Sequence, residues 1–390
     1  MPKKSIRDID LKGKSVLVRV DYNVPLDAEG NVSDATRIRE TIPTLDYLRA
    51  QGCRTILVSH LGRPDGKPDP KQSLAPVARE LQRLRFPVIF ATDTIGPDAQ
   101  SKAASLRAGD LLLLENVRFY PGEEANDPSF AAELAKLGEV FVNDAFGTAH
   151  RAHASTAGVA AFLPAVAGLL MEKEIDALGR VLDNPKRPLV AVIGGAKVSS
   201  KIGVLENLLP RVDRLIIGGG MACTFLKAKG LEIGKSLLEA DCLSVATDLM
   251  AKAGPKLLLP IDGLCVYQVD PASQPMVQDS DHIGADVAMV DIGPRSIDLF
   301  GEAVRGVGTV VWNGPMGIFE MEPFAHGTAA IADAIAASGA TTVVGGGDTI
   351  AAIEKLSDAS RFTHVSTGGG ASLEFLEGRV LPGVAALQDR

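Results

Sequence analysis

The sequence predicts an α/β protein made of two doubly wound domains with mainly parallel sheets, joined by a hinge helix. Three observations predict it. Short runs rich in Val, Ile and Leu alternate with segments of helical spacing, the pattern of parallel sheets covered by helices on both faces. The chain has 390 residues, beyond the size at which a single core keeps growing. Near the middle a helical stripe runs into DNPKRP, where Pro185 and Pro188 stop the helix and start a new unit.

In chain order, Ser15 to Val20, Thr55 to Ser59, Pro87 to Phe90, Leu111 to Leu114 and Glu139 to Asn143 read as the strands of the first half. Between them Ile38, Ile42, Leu45 and Leu48 fall at helical spacing, as do Leu74, Val77, Leu81 and Leu84 behind a Ser73 cap. The uncharged stretch Ala154 to Met171 contains Gly158, Pro164 and Gly168 and is rich in Ala, a poor membrane span, so it is expected to pack between domains. Met171, Ile175, Leu178 and Leu182 form the stripe of the hinge helix. The expected organisation is a first domain over 1–170, an interdomain helix and linker over 171–186, a second domain over 187–375, and a tail over 376–390.

Composition excludes several classes. A hydrophobic fraction of 46% and a charged fraction of 23% describe a globular chain. The net charge of -8 argues against bulk-field binding to nucleic acid or an anionic membrane, while leaving small anions to local clusters. The opening MPKKSIRDIDLKGK has no apolar run after its charges, so no secretory signal is expected there. Cys53, Cys223, Cys242 and Cys265 show no CxxC pair and no metal-site spacing; they are expected to be reduced, mostly buried thiols of a cytoplasmic protein.

Parallel sheets bind ligands beyond the carboxyl ends of their strands, so the residues just after each strand carry the functional signal. In the first half these are Asp21 and Asn23, then His60 and Arg63 in SHLGRP, then Arg118 in LLLLENVRF, then Asp144, His150, Arg151 and His153 in NDAFGTAHRAHAS. Arg37 stands at the start of the first helix. Any one such Arg is ordinarily a salt-bridge partner on the surface. Several at comparable strand ends make a cationic rim, and guanidinium binds phosphate or carboxylate in bidentate fashion.

The second half repeats a strand with a glycine-rich end: VAVIGGAK, RLIIGGGMACTF, TVVWNGPMGIFE, TTVVGGGDT and THVSTGGGASLE. In LVAVIGGAKVSSK, Gly194 and Gly195 end a buried strand, and Lys197 and Lys201 stand four apart at the expected start of a helix, one face offering two charges to phosphate. GGGDT and TGGGAS each lead into an expected helix, whose N-terminus favours an anion. Asp348 could cap its helix or hold Mg²⁺ bridging phosphates, and the metal is the favoured reading. Standard nucleotide signatures are missing. GLEIGKS has three residues between its glycines where a Walker A motif needs four, and the third glycine of GxGxxG is replaced by Cys223, Ile350 or Leu373 in the three clusters.

The strings RVDYNVP, SHLGRP, LLLLENVRF, FVNDAFGTAHRAH, GGAKVSSKI, GGGMACTFL, VWNGPMGIFE, GGGDT and TGGGASLEFLEG, in this order along essentially the whole chain, resemble the phosphoglycerate kinases. The resemblance implies reversible transfer of the acyl phosphate of 1,3-bisphosphoglycerate to ADP, giving 3-phosphoglycerate and ATP with Mg²⁺. It implies a phosphoglycerate site of Asp21, Asn23, Arg37, His60, Leu61, Gly62, Arg63, Arg118 and Arg151 on the first domain. It implies a nucleotide site of Gly194, Gly195, Lys197, Lys201, Gly218, Asn313, Glu320, Gly346, Gly347, Asp348 and Thr349 on the second. Arg37 and Lys197 would act on the moving phosphoryl group, helix N-termini at Gly369 and Gly370 would assist, Asp348 would hold the metal, and Glu320 would accept from the ribose hydroxyls. The tail would return to the first domain, and the working form would be a cytoplasmic monomer with no nucleic-acid or membrane partner. Departures from the family pattern are slight: Cys223, and Arg295 and Ser296 in DIGPRS. A dinucleotide dehydrogenase and a noncatalytic nucleotide-binding scaffold are the alternatives.

Overall fold

The computed structural model describes residues 2–390. The chain divides into two compact units, one ending at Asp176 and completed by Val380–Arg390, the other Ala177–Arg379.

The first unit is built on six strands: β1 (Ser15–Arg19), β2 (Arg54–Val58), β3 (Ile89–Phe90), β4 (Leu111–Leu113), β5 (Val140–Asn143) and β6 (Ala165–Ala167). All neighbours are parallel, in the order β3-β4-β2-β1-β5-β6. Burial on both faces explains why β1 reads as a continuous apolar run. Val16 and Val18, two residues apart and so on one face, pack in a core with Leu45, Leu48, Val77 and Leu81 from the covering helices. The helical stripe from Ile38 to Leu48 is two helices, Thr36–Glu40 and Ile42–Ala50, parted at Thr41 just ahead of Pro43. The next helix, Ala75–Arg83, has Leu74 rather than Ser73 at its cap position, yet the Ser73 hydroxyl still accepts the Ala75 N–H at 3.2 Å. Ala154 to Met171, expected to pack between the domains, supplies β6, whose parallel pairing with β5 its Ala-rich sequence did not announce.

The helix Leu169–Asp183 follows β6. Asp144 holds its first turn, accepting from Leu170 N at 2.9 Å and Met171 N at 3.1 Å, and burial pushes the Asp144 carboxyl up to about 6. The last residues complete the first unit: Gly383 N–H donates to Ala149 O at 2.8 Å and Arg390 pairs with Asp8 at 2.9 Å. Residues 376–379 stay with the second unit, where Asn207 Nδ2 donates to Leu376 O at 2.7 Å.

The second unit contains β7 (Leu189–Ile193), β8 (Arg214–Ile217), β9 (Leu257–Leu258), β10 (Asp262–Val266), β11 (Met276–Asp279), β12 (Ala288–Ile292), β13 (Thr309–Asn313), β14 (Thr341–Gly345) and β15 (His364–Val365). Six of them form a parallel sheet in the order β15-β14-β13-β7-β8-β9. Read from the other edge, this is the 3-2-1-4-5-6 order of dinucleotide-binding folds, and its direction reverses between β7 and β13, where such sheets bind ligands. All five glycine-ended strands lie in it. The antiparallel sheet β11-β10-β12 was not expected. Its outer strand is half exposed, with Val277 at 54%. The core holds Val190, Val192, Val310 and Trp312 against Phe300, Ile331 and Ile353 from helices Pro294–Val304, His326–Ala337 and Gly347–Leu356. All four cysteines are free and buried. No described helix is long and apolar enough to cross a membrane.

Candidate active site

In the first unit the predicted residues gather at the carboxyl ends of β1, β2 and β4. Arg37 donates through Nη1 to Asp21 Oδ2 at 3.0 Å and to Asn23 O at 3.2 Å. Asn23 Oδ1 accepts the Gly62 N–H at 2.9 Å, and Gly62 O accepts from Arg118 Nη1 at 2.8 Å. The SHLGRP turn is thereby pinned between the end of β1 and the segment after β4. Asn116, which sequence reasoning passed over, fixes it from below: its Nδ2 donates to Leu61 O at 2.7 Å and Gln72 O at 2.8 Å, while its Oδ1 accepts the Arg118 N–H at 3.0 Å. Arg118 is nearly buried in the short turn Val117–Phe119; its Nε lies 3.1 Å from Glu124 Oε1, within ion-pair range but off the line of a hydrogen bond. Arg63 and Arg151 are exposed, and Arg151 Nε donates to His150 Nε2 at 3.3 Å.

His60 is 3% exposed, and its Nδ1 lies 3.9 Å from Asp21 Oδ1. Burial, reinforced by Arg19, Arg118 and Arg37, holds it well below the usual histidine value, so the ring is neutral. Nδ1 sits 3.1 Å from Arg19 Nη2. Guanidinium only donates, so Nδ1 accepts and the proton resides on Nε2. Arg19 is a second residue that sequence reasoning missed. It is wholly buried at the end of β1, and its signal was the single charge inside the apolar run SVLVRV.

In the second unit the predicted residues centre on the switch point between the parallel neighbours β7 and β13. Gly194 N–H donates to Asn313 O and Gly195 N–H to Pro315 O, both at 2.9 Å. A Cβ on Gly194 would lie 2.2 Å from Pro315 O, and one on Gly314, whose φ is +100, would lie 2.2 Å from Gly194 O. Only glycine allows the two backbones to meet this closely. Asn313, wholly buried, donates from Nδ2 to Gly345 O at 2.8 Å and accepts from Lys201 Nζ. Burial lowers Lys201, opposed by the charges of Asp348 and Glu377.

The expectation that Lys197 and Lys201 share one helical face is corrected. The helix is Ile202–Leu208, with Lys201 at its cap position and Lys197 exposed in the preceding loop. Val198 is wholly buried and its carbonyl accepts the Lys201 N–H at 2.8 Å, which closes a turn and delays the helix.

Helix Gly347–Leu356 begins after Gly346 with Asp348 in its first turn. The capping alternative for Asp348 is not realised: no side chain caps this helix, and the exposed Asp348 carboxylate makes no hydrogen bond among the described residues. Thr349 is turned inward, donating to Gly345 O at 2.9 Å and accepting the Gly314 N–H at 2.7 Å, so any contact with a ligand must use its backbone. Gly369 and Gly370 open the helix Gly370–Leu376. Gly218 follows β8, and its N–H donates to Ile193 O at 2.9 Å. Beside the switch point lies a cleft of about 470 Å³ lined by Gly195, Gly219, Leu237, Met316, Glu320 and Asp348 among others. A larger cleft of about 910 Å³, beside Pro68, Arg79 and Tyr120 in the first unit, includes none of the predicted residues.

This geometry has close relatives. The family model described as phosphoglycerate kinase matches residues 6–379. The phosphoglycerate kinases of Chloroflexus aggregans and Pelotomaculum thermopropionicum are each 58% identical to the chain, with all of both chains covered. Among solved structures, the phosphoglycerate kinase of Coxiella burnetii matches with a TM-score of 0.92 at 44% identity, covering 99% of this chain and 98% of its own. That of Pyrococcus horikoshii matches with a TM-score of 0.84 at 33% identity, covering 98% of each. By sequence and by fold, the chain belongs to the phosphoglycerate kinase family.

Proposed function

We propose that the phosphoglycerate kinase activity of this chain, the glycolytic exchange of a phosphoryl group between 1,3-bisphosphoglycerate and ADP, runs through the two half-sites described above. Asp21, Asn23, Arg37, His60, Leu61, Gly62, Arg63, Arg118 and Arg151 receive the phosphoglycerate. Gly194, Gly195, Lys197, Lys201, Gly218, Asn313, Glu320 and the run Gly346–Thr349 receive the nucleotide. The observation that carries this reading is the hydrogen-bonded joining of Arg37, Asp21, Asn23, Gly62 and Arg118, from four separate segments, into one cationic rim.

The chemistry needs little more than such a rim. In the direction of ATP synthesis, the bond from phosphorus to the acyl oxygen breaks as one from phosphorus to the terminal ADP oxygen forms, and the leaving carboxylate departs unprotonated. Its ordinary pKa of about 3.5 means that the reverse reaction needs no general base. Catalysis therefore consists of alignment and of neutralising charge on the equatorial oxygens. Arg37 and Lys197 are assigned to that charge, with the backbone N–H groups at Gly369 and Gly370 assisting.

Mg²⁺ is assigned to Asp348. The fit is that of an unencumbered carboxylate facing the nucleotide cleft; among the described residues no group of three or more acidic, His or Cys side chains gathers into a cage, and Mg²⁺ takes most of its ligands from phosphates and water. When bound, the ion neutralises charge on the nucleotide phosphates. Because the half-sites belong to different units, transfer requires that the units close on one another, expelling water. The buried free thiols fit a reducing, cytoplasmic compartment, and the working form is taken as a monomer.

The test is a coupled assay of ATP formation from 1,3-bisphosphoglycerate. Arg37→Ala is expected to lower turnover by about three to five powers of ten if the group acts as an arginine finger does. A near-normal rate would remove Arg37 from the mechanism.

A further inference from the structure

Behind His60 lies a buried chain of polar groups that the substrate site itself does not explain. Glu123 is wholly buried; it accepts the Ser155 N–H at 2.8 Å on Oε2 and the Ser155 hydroxyl at 2.6 Å on Oε1. With its proton committed to the carboxylate, the Ser155 hydroxyl has only lone pairs left, and it accepts from Arg19 Nε at 2.8 Å. Arg19 spends one further N–H on Val20 O and another on His60 Nδ1. Every link thus has a fixed direction. Glu123 orients the hydroxyl, the hydroxyl orients the guanidinium, and the guanidinium blocks protonation of Nδ1.

Charge makes Glu123 necessary as well as convenient. Arg19 has no exposed surface, and an isolated buried cation is costly unless a counter-charge is at hand. The other charged groups around it include Asp21 and the like-charged Arg118. Burial pushes the Glu123 carboxyl up, while Arg19, the two Ser155 bonds and Arg118 oppose that push, and His153 Nδ1 stands 3.8 Å from Oε1. Two hydrogen bonds and a cation one hydroxyl away favour the ionised form against that burial.

We propose that Glu123 is a positioning residue: acting through Ser155 and Arg19, it locks His60 as the neutral Nε2–H tautomer, so that the ring meets phosphoglycerate as a hydrogen-bond donor. The proposal rests on the reading of His60 as part of the substrate site. Without Glu123, the hydroxyl and the guanidinium lose their fixed orientation, and the proton is free to move to Nδ1.

The experiment is long-range ¹H–¹⁵N spectroscopy of the full chain, with the His60 signals identified by their loss in His60→Gln. The parent is expected to show a bare Nδ1 and a protonated Nε2. In Glu123→Gln His60 should move in part to the Nδ1–H form, and KM for 3-phosphoglycerate should rise as the inverse of the Nε2–H fraction that remains, about tenfold when nine-tenths has moved. KM for the nucleotide should not move. Glu123→Asp keeps the charge and should recover much of the parent spectrum, a rescue that a merely space-filling role would not give. Should Glu123→Gln fail to fold, Ser155→Ala removes only the bridging hydroxyl and should shift the same signals. A parent with its proton on Nδ1, or a folded Glu123→Gln with unaltered His60 signals, overturns the proposal. A shifted tautomer with unchanged KM instead overturns the substrate reading of His60 while upholding the link from Glu123 to the ring.

Discussion

Thr349 provides the sharpest test of how the nucleotide half-site is held together. Thr349→Val keeps the shape of the side chain and removes one oxygen. That oxygen is wholly buried and is the acceptor of the Gly314 N–H at 2.7 Å. Gly345 O, its other partner, keeps the Asn313 amide at 2.8 Å, so the substitution orphans one group only. An unsatisfied buried N–H costs about 1–3 kcal/mol. For a cooperative unit of this size each kcal/mol corresponds to roughly 2–4 °C, so the second unit should melt about 2–12 °C lower. Calorimetry reads this shift, and amide exchange at Gly314 should accelerate in parallel. Because the hydroxyl is sealed inside, turnover at a temperature where the variant stays folded should remain close to that of the parent. Stability within about 0.5 kcal/mol of the parent would mean that another acceptor serves Gly314. A large loss of turnover with stability intact would mean that the hydroxyl reaches the ligand, which the geometry denies.

Asp348→Ala should raise the Mg²⁺ concentration needed for half-maximal ATP use while leaving stability nearly unchanged, since the exposed carboxylate gives up no hydrogen bond and only a charge interaction with Lys201; an unaltered metal titration would remove the ion from this residue. Solution scattering should show compaction only when phosphoglycerate and nucleotide are both present, and an unchanged radius would argue against closure. Asp291 should make the protein less stable as pH rises. Burial pushes its carboxyl up to about 7, against the two backbone N–H bonds it accepts from Gly327 and Ile292. The folded state therefore binds this proton more tightly than the unfolded chain, whose carboxyl titrates near 3.9. The resulting stabilisation is full below that value and is lost as pH climbs through 7, about 4 kcal/mol in total and roughly 3 kcal/mol between pH 5 and 8. Urea titrations of Asp291→Asn should show a pH dependence flatter by that amount; an identical slope would refute the buried-proton account.

Most of the strands that form the two parallel sheets were legible because burial on both faces leaves little but apolar, β-branched residues, as in LVAVI and TVVWN. The misses have physical reasons of the same kind. β6 is a strand of three small residues, AVA, too short for any periodicity. The sheet β11-β10-β12 escaped because β11 reads MVQD and alternates half-buried with exposed positions, and because β10 is followed by the polar stretch to Gln274. The Lys197–Lys201 spacing suggested a helical face, but spacing carries that meaning only if the backbone is already helical. A single buried Val198 decided that it is not.

The candidate site divides along a similar line. The cations and glycines of the proposed half-sites were legible as a group, because several of them recur at comparable strand ends. Residues that hold them were not, since Asn116, Ser155 and Glu123 have ordinary side chains whose importance comes from what they bond across 32 to 136 positions of sequence. Arg19 lies between the two groups. Its charge inside an apolar strand demanded an explanation, yet only the fold reveals that its partners are a histidine and a serine 41 and 136 positions away. A polar residue within an uninterrupted apolar strand is therefore worth reading as one end of a buried hydrogen-bond chain, and the nearest strand-end histidine as a candidate for the other.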